Sequence, residues 1–175
     1  MPSGSRRSLF WAVITAVVAL DFATKQIAVA LLGAGRRVHL AGDWLFFRLV
    51  RNPGAAFGIE VGPPSVSRWV FTTLAIIALI VLGSMVRQTL PTQRVRLTAL
   101  ALVCGGAIGN LIDRIRGGGG VVDFIDVYIG PFHWPTFNVA DMAVTCGAVA
   151  LAAVLWQEGR TSHERSAESA DPAEA

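Results

Sequence analysis

The stretch FNVADMAVTCGAVALAAVLW, residues 137–156, decides the fold class: it is long and apolar enough to cross a bilayer, yet it carries an aspartate near its head. A bilayer core of about 30 Å needs about 20 mainly apolar residues. A carboxylate at the centre of such a helix costs roughly 2.5–3.5 kcal/mol on insertion scales, so Asp141 points to a polar interior or a working site. A second carboxylate, Asp123 in Val121-Val122-Asp123-Phe124, lies just beyond the end of the preceding apolar run.

Working outward, three more apolar runs appear at 9–32, 69–86 and 97–112, the last extended to 113 if its polar end is counted. The first is interrupted by Asp21 and Lys25, and the third is short enough to need Arg96 or Asp113 at its ends. A 53% hydrophobic fraction, a 15% charged fraction and a mean hydropathy of +0.55 argue against a soluble globular domain. The expected class is an all-α polytopic membrane protein with four transmembrane helices. Residues 1–156 form one integral membrane domain, and 157–175, rich in Ala, Glu and Ser, form a polar disordered tail.

Arg6 and Arg7 before an apolar run imitate a cleaved signal peptide. The run continues through Asp21 to Lys25 into more apolar sequence, with three further spans behind it, which fits a retained anchor better. Orientation is not decided by positive charge. Arg6, Arg7, Arg87, Arg94, Arg96, Arg160 and Arg165 fall on one side of four alternating spans. Arg36, Arg37, Arg48, Arg51, Arg68, Arg114 and Arg116 fall on the other. The first helix favours cytoplasmic termini. A pI near 9.5 suggests nucleic acid, but the arginines form no stripe and no aromatics interleave with them, so membrane lipids are the expected partner and nucleic acid is not. Cys104 and Cys146, each inside an apolar run and without paired spacing, are expected to be packed thiols.

The longest polar loop, 33–68, holds aromatic and β-branched residues around Trp44, Phe46 and Phe47, bounded by glycines. A small β element lying on the membrane surface is expected there. Asn52-Pro53-Gly54-Ala55-Ala56-Phe57-Gly58 then makes a turn, either a simple connection or a close approach for a ligand. In the third span Gly105 and Gly109 have the small-xxx-small spacing that lets helices pack closely. The glycines 117–120 suggest a flexible hinge.

Among the acids outside the tail, Asp43 and Glu60 sit in the polar loop, where solvent suffices. Asp21 and Lys25, four apart on a helix, are expected to pair, and Asp113 beside Arg114 invites the same structural reading. Asp126 is either a support for Asp123 or exposed. Asp123 and Asp141 have no cation nearby in sequence. If they meet, they cannot both ionise, and a shared proton allows one to activate water while the other protonates a carbonyl. If they do not, they are two unrelated interfacial acids. Asn138, one turn before Asp141, shares its face. No Gly-x-Ser-x-Gly is present, and His163-Glu164 lacks the second histidine of a zinc motif. Neither a metal site nor a cofactor is expected. A proton-coupled carrier also uses paired membrane acids, but four spans without an internal repeat are few for one. A non-catalytic scaffold is the third possibility.

Five motifs occur in order: Asp21-x-x-Thr24-Lys25, Asn52-x-Gly54-Ala55-Ala56-Phe57, Gly105-Gly106-x-x-Gly109-Asn110-x-x-Asp113-Arg114, Val121-Val122-Asp123-Phe124, and Phe137-Asn138-x-Ala140-Asp141. From about residue 9 to 156 the chain closely resembles the bacterial lipoprotein signal peptidases, or signal peptidases II. The resemblance implies an aspartyl endopeptidase of the bacterial inner membrane, its active site toward the outer face. Its substrate would be a prolipoprotein with a diacylglyceryl cysteine, cut just before that cysteine, and it would act as a monomer. The catalytic pair falls on Asp123 and Asp141. Asn52, Asn110, Arg114 and Asn138 fall on substrate-contacting or site-supporting positions, and Asp21, Lys25 and Asp113 on structural ones. The implied fold has four transmembrane helices, a periplasmic β-cradle and a short helix. The glycine run departs from it as an expanded connection.

Overall fold

The computed structural model describes residues 3–33, 35–53 and 62–168. Four helices carry the apolar runs: α1 (Ser3–Leu32), α2 (Pro64–Gln88), α3 (Arg94–Arg116) and α4 (Val139–Glu168). All four are long and apolar enough to cross a membrane. Between them lie β1 (Arg37–Ala41), β2 (Leu45–Asn52), β3 (Val121–Ile129) and β4 (Phe132–Phe137), which pair antiparallel in chain order into one sheet.

Helix α3 is the centre of the bundle and packs on each of the other three helices. Its glycines allow this. A Cβ at Gly105 would meet Val17 of α1 at 2.9 Å, and one at Gly109 would meet the Asp21 carboxylate at 2.6 Å. A Cβ at Gly106 would fall on the Ala140 carbonyl oxygen of α4. The close packing expected from Gly105 and Gly109 is present, with Gly106 adding the contact to α4. Ile14, Leu82, Leu100, Ala101 and Cys104 form the core between α1, α2 and α3. Outward-facing positions such as Leu74, Ile77, Ile80 and Val149 remain exposed, as lipid contact requires.

The sheet sits at the end of the bundle where α1 stops and α4 starts. One of its surfaces closes on α1 through Phe124, Ala28 and Leu32, with Val38, Phe47 and Leu49 around them. The sequence reading placed strands only in the 33–68 loop; half of the sheet instead comes from β3 and β4. The nine residues of β3 are mostly β-branched or aromatic, a strand composition in its own right.

Three further features differ from expectation. Helix α4 does not end at Trp156 but continues to Glu168. Residues 157–168 include helix-favouring Gln, Glu, Arg and Ala, and Glu158 is held by Arg96 at 2.9 Å and by Gln93 at 2.9 Å. Glycines 117–120 are not a free hinge. Gly117, at φ 81, caps α3 by donating its N–H to the Asp113 carbonyl at 3.1 Å. Gly120, at φ 120, is pressed so close to β2 that a Cβ would fall on the Asn52 carbonyl oxygen. Arg68 of α2 covers the same corner, donating to the carbonyls of Arg114 at 2.6 Å and Ile115 at 3.2 Å. No separate short helix lies among the described residues. Of the turn expected over 52–58, residues 54–58 lie outside them, as does Glu60.

Candidate active site

Strand β3 and the first turn of α4 bring Asp123 and Asp141 to one cavity of about 860 Å³ at the sheet end of the bundle. Asn52, Asn110 and Arg114 line the same cavity. The aspartates do meet in one site, which the sequence spacing alone left open.

Asn138 links the two. It is fully buried, and its side-chain amide donates to Asp123 Oδ1 at 2.7 Å. Its main-chain N–H donates to Asp141 Oδ2 at 3.1 Å, while its Oδ1 accepts the Asp141 N–H at 3.0 Å. The last two bonds form a reciprocal cap at the start of α4, where the helix dipole favours negative charge. Asp141 Oδ1 accepts a further bond from Asn110 Nδ2 at 2.8 Å, and Asp123 Oδ2 one from Asn52 Nδ2 at 3.2 Å.

Asp123 is 3% exposed. Burial, and after it the charge of Asp141, raises its pKa to about 7, against the lowering pull of Asn52, Asn138 and Lys25. Such a group holds a proton near neutral pH. Arg114 donates to the Asn110 carbonyl at 3.3 Å and lies 5.9 Å from the Phe71 ring centre. Its Nε is buried and has no hydrogen-bond partner among the described residues.

Residues 13–157 match the family model of signal peptidase (SPase) II. The chain belongs to the signal peptidase II family. It is 40% identical over 150 residues to a lipoprotein signal peptidase of Paraburkholderia phymatum, covering 86% of this chain and 89% of that one. A lipoprotein signal peptidase of Desulforapulum autotrophicum is 39% identical over 138 residues, covering 78% and 85%. A bacterial membrane enzyme solved by the in meso method at 2.3 Å superposes with a TM-score of 0.77 at 31% identity, covering 87% of this chain and 90% of that one. As a signal peptidase II this is a protease of lipoprotein processing, with four helices able to span the membrane.

The residues read as structural form a polar core behind the dyad. Lys25, 2% exposed, lies 2.8 Å from Asp21 Oδ2 and 2.8 Å from Asp113 Oδ2. Asp21 and Lys25 pair as their spacing suggested. Asp113 does not pair with Arg114: adjacent helix residues diverge, and Asp113 turns inward to Lys25.

Three features were missed. Asp126 is fully buried on the sheet, 2.6 Å from His133 Nε2, 3.2 Å from Arg48 Nε and 3.6 Å from Arg37. The β-branched and aromatic composition of Val121–Ile129 was the signal that Asp123 and Asp126 lie on a strand. Trp134, Pro135, Thr136 and Phe137 of β4 wall the cavity, and nothing in the apolar-run pattern marks them as a strand. Cys104 is buried as expected, whereas Cys146 is exposed and lines the cavity.

Proposed function

We propose that the chain removes the signal peptide from diacylglyceryl-modified prolipoproteins, hydrolysing the bond before the lipidated cysteine with Asp123 and Asp141 as an acid/base dyad. The observation that carries this reading is Asn138, which bonds both carboxylates at once and fixes them at the wall of one cavity. The names of the relatives support the substrate class.

In this reading the dyad holds one proton, carried by Asp123, whose burial raises its pKa to about 7. Asp141 takes a proton from water as the water oxygen attacks the scissile carbonyl carbon. Asp123 passes its proton to the carbonyl oxygen, giving a neutral gem-diol. In collapse the C–N bond breaks, Asp141 returns its proton to the leaving nitrogen, and Asp123 recovers one from a diol hydroxyl. Both carboxyls end as they began. Asn52, Asn110 and Asn138 hold the dyad, and Arg114, which lines the same cavity, binds a substrate carbonyl.

Residues 1–156 constitute the peptidase domain in this reading, and 157–175 take no part in chemistry. One chain supplies the whole site and acts as a monomer in the inner membrane, with the dyad at the outer face and both termini in the cytoplasm. The Arg96–Glu158 pair ties the first turn of α3 to α4 at the end of the bundle away from the dyad. Water then reaches the dyad from the aqueous edge, while acyl chains enter sideways between helices.

The test is cleavage of a diacylglyceryl-modified prolipoprotein in detergent micelles, followed by gel shift. Wild type should cleave and folded Asp123→Asn and Asp141→Asn should not. Cleavage by either variant at the wild-type rate removes that residue from the mechanism.

A further inference from the structure

The Lys25 ammonium offers only donors, and three oxygens receive them. Two belong to Asp21 and Asp113, and the third is Asn110 Oδ1 at 3.0 Å. The same Oδ1 accepts from Asn138 Nδ2 at 3.1 Å, which leaves Asn110 Nδ2 to face Asp141 Oδ1 at 2.8 Å. A flipped Asn110 would set its NH₂ against an ammonium and another NH₂, and its oxygen against a carboxylate. The polarity of the amide chain is therefore imposed from Lys25.

The two carboxylates beside Lys25 also grip the backbone one residue before each dyad aspartate. Asp21 Oδ1 accepts the Ala140 N–H at 2.9 Å, and Asp113 Oδ2 accepts the Val122 N–H at 3.3 Å. A cation that merely neutralised two buried acids would need no contact with Asn110.

We infer that Lys25 is a positioning residue for the reaction: acting through Asn110, it fixes the amide whose nitrogen holds Asp141, while its two acid partners set the strand and helix ends that carry the dyad. This rests on the dyad reading above.

A double-mutant cycle on kcat tests it, with diacylglyceryl-modified prolipoprotein as substrate and folding checked by thermal melt in detergent. Lys25→Met and Asn110→Ala should each lower kcat about 100-fold, the scale of a roughly 1 Å misplacement, with KM little changed. The double variant should lose no more than either single one, since both remove one relay. Because Lys25→Met strands two buried acids, the cycle is repeated with Lys25→Met/Asp113→Asn, whose removal of one charge of each sign keeps the cluster's net charge. Losses that multiply, or a Lys25→Met kcat within about twofold of wild type, overturn the relay. Loss of the fold in both Lys25 variants also overturns it, in favour of a purely structural cation. Asp123→Asn and Asp141→Asn are run alongside. If either cleaves normally, the dyad and the relay fall together; if both are inactive while the losses multiply, only the role of Lys25 falls.

Discussion

Asn138 Nδ2 stands 2.7 Å from Asp123 Oδ1, and the same residue's main-chain N–H reaches Asp141. One residue thus ties a strand acid to a helix acid, through its side chain on Asp123 and its main chain on Asp141. Asn138→Ala leaves the dyad without this tie. It should lower kcat by about 10²–10³-fold, the scale seen when one preorganised donor is removed. The lost helix cap should cost about 1 kcal/mol of stability. Steady-state kinetics with the lipidated substrate and a thermal melt read the two effects separately.

The pH profile follows from Asp123. With its pKa at about 7, Asp123 gives up the proton it must donate as pH rises through that value. The high-pH limb of kcat/KM should fall with a midpoint near 7, reporting the free enzyme. A profile flat from pH 6 to about pH 9 would deny Asp123 the acid's role.

The same burial sets a stability difference. Asp123 is ionised above about 7 in the folded chain and above about 3.9 when unfolded. Below the lower value both states are protonated and nothing is lost. As pH climbs between the two, the unfolded chain releases the proton first, and the folded state loses stability relative to it. Asp123→Asn lacks that slope. It should be inactive yet melt higher than wild type at pH 8, with a gap of at most about 4 kcal/mol that shrinks toward pH 4.

Much of this site is written in local sequence. Asn138 and Asp141 lie three apart across a helix start, a spacing that forms a reciprocal cap wherever a helix begins there. Asp21 and Lys25 share a helix face for the same kind of reason. What stayed illegible depends on tertiary pairing. Asp113 and Arg114 diverge as helix neighbours, but that Asp113 meets Lys25 depends on how α1 lies against α3. Asp126 gains its partners from β1, β2 and β4, three segments brought together by the sheet. Cys146 sits in an apolar run but lines the cavity, which depends on the way α4 is turned in the bundle.

Gly106 lets α3 and α4 approach closely. A methyl group there meets Val144 Cγ2 at 2.7 Å as well as the Ala140 carbonyl. Backbone cannot rotate away as a side chain can, so Gly106→Ala must push the first turn of α4 outward, taking Asp141 with it. Destabilisation of about 1–3 kcal/mol is expected from overpacking. The kcat loss should exceed that of Gly159→Ala, where a Cβ has open space.

Asp126 offers the opposite case, a buried acid remote from the reacting atoms. Its carboxylate gathers Arg37, Arg48 and His133, and Thr136 Oγ1 donates to it at 3.2 Å. Thr136 and its neighbours on β4 form the cavity wall facing the dyad. Arg37 and Arg48 are 39% and 38% exposed, so water screens the ion pairs and weakens each of them. Asp126→Asn should therefore cost only about 1–2 kcal/mol in stability. Because the wall shifts while the dyad stays in place, KM for the lipidated substrate should rise with kcat nearly unchanged. A matching fall in kcat would mean that the sheet also holds Asp123 in register, since Phe46 and Asp126 are paired only three residues along β3 from it.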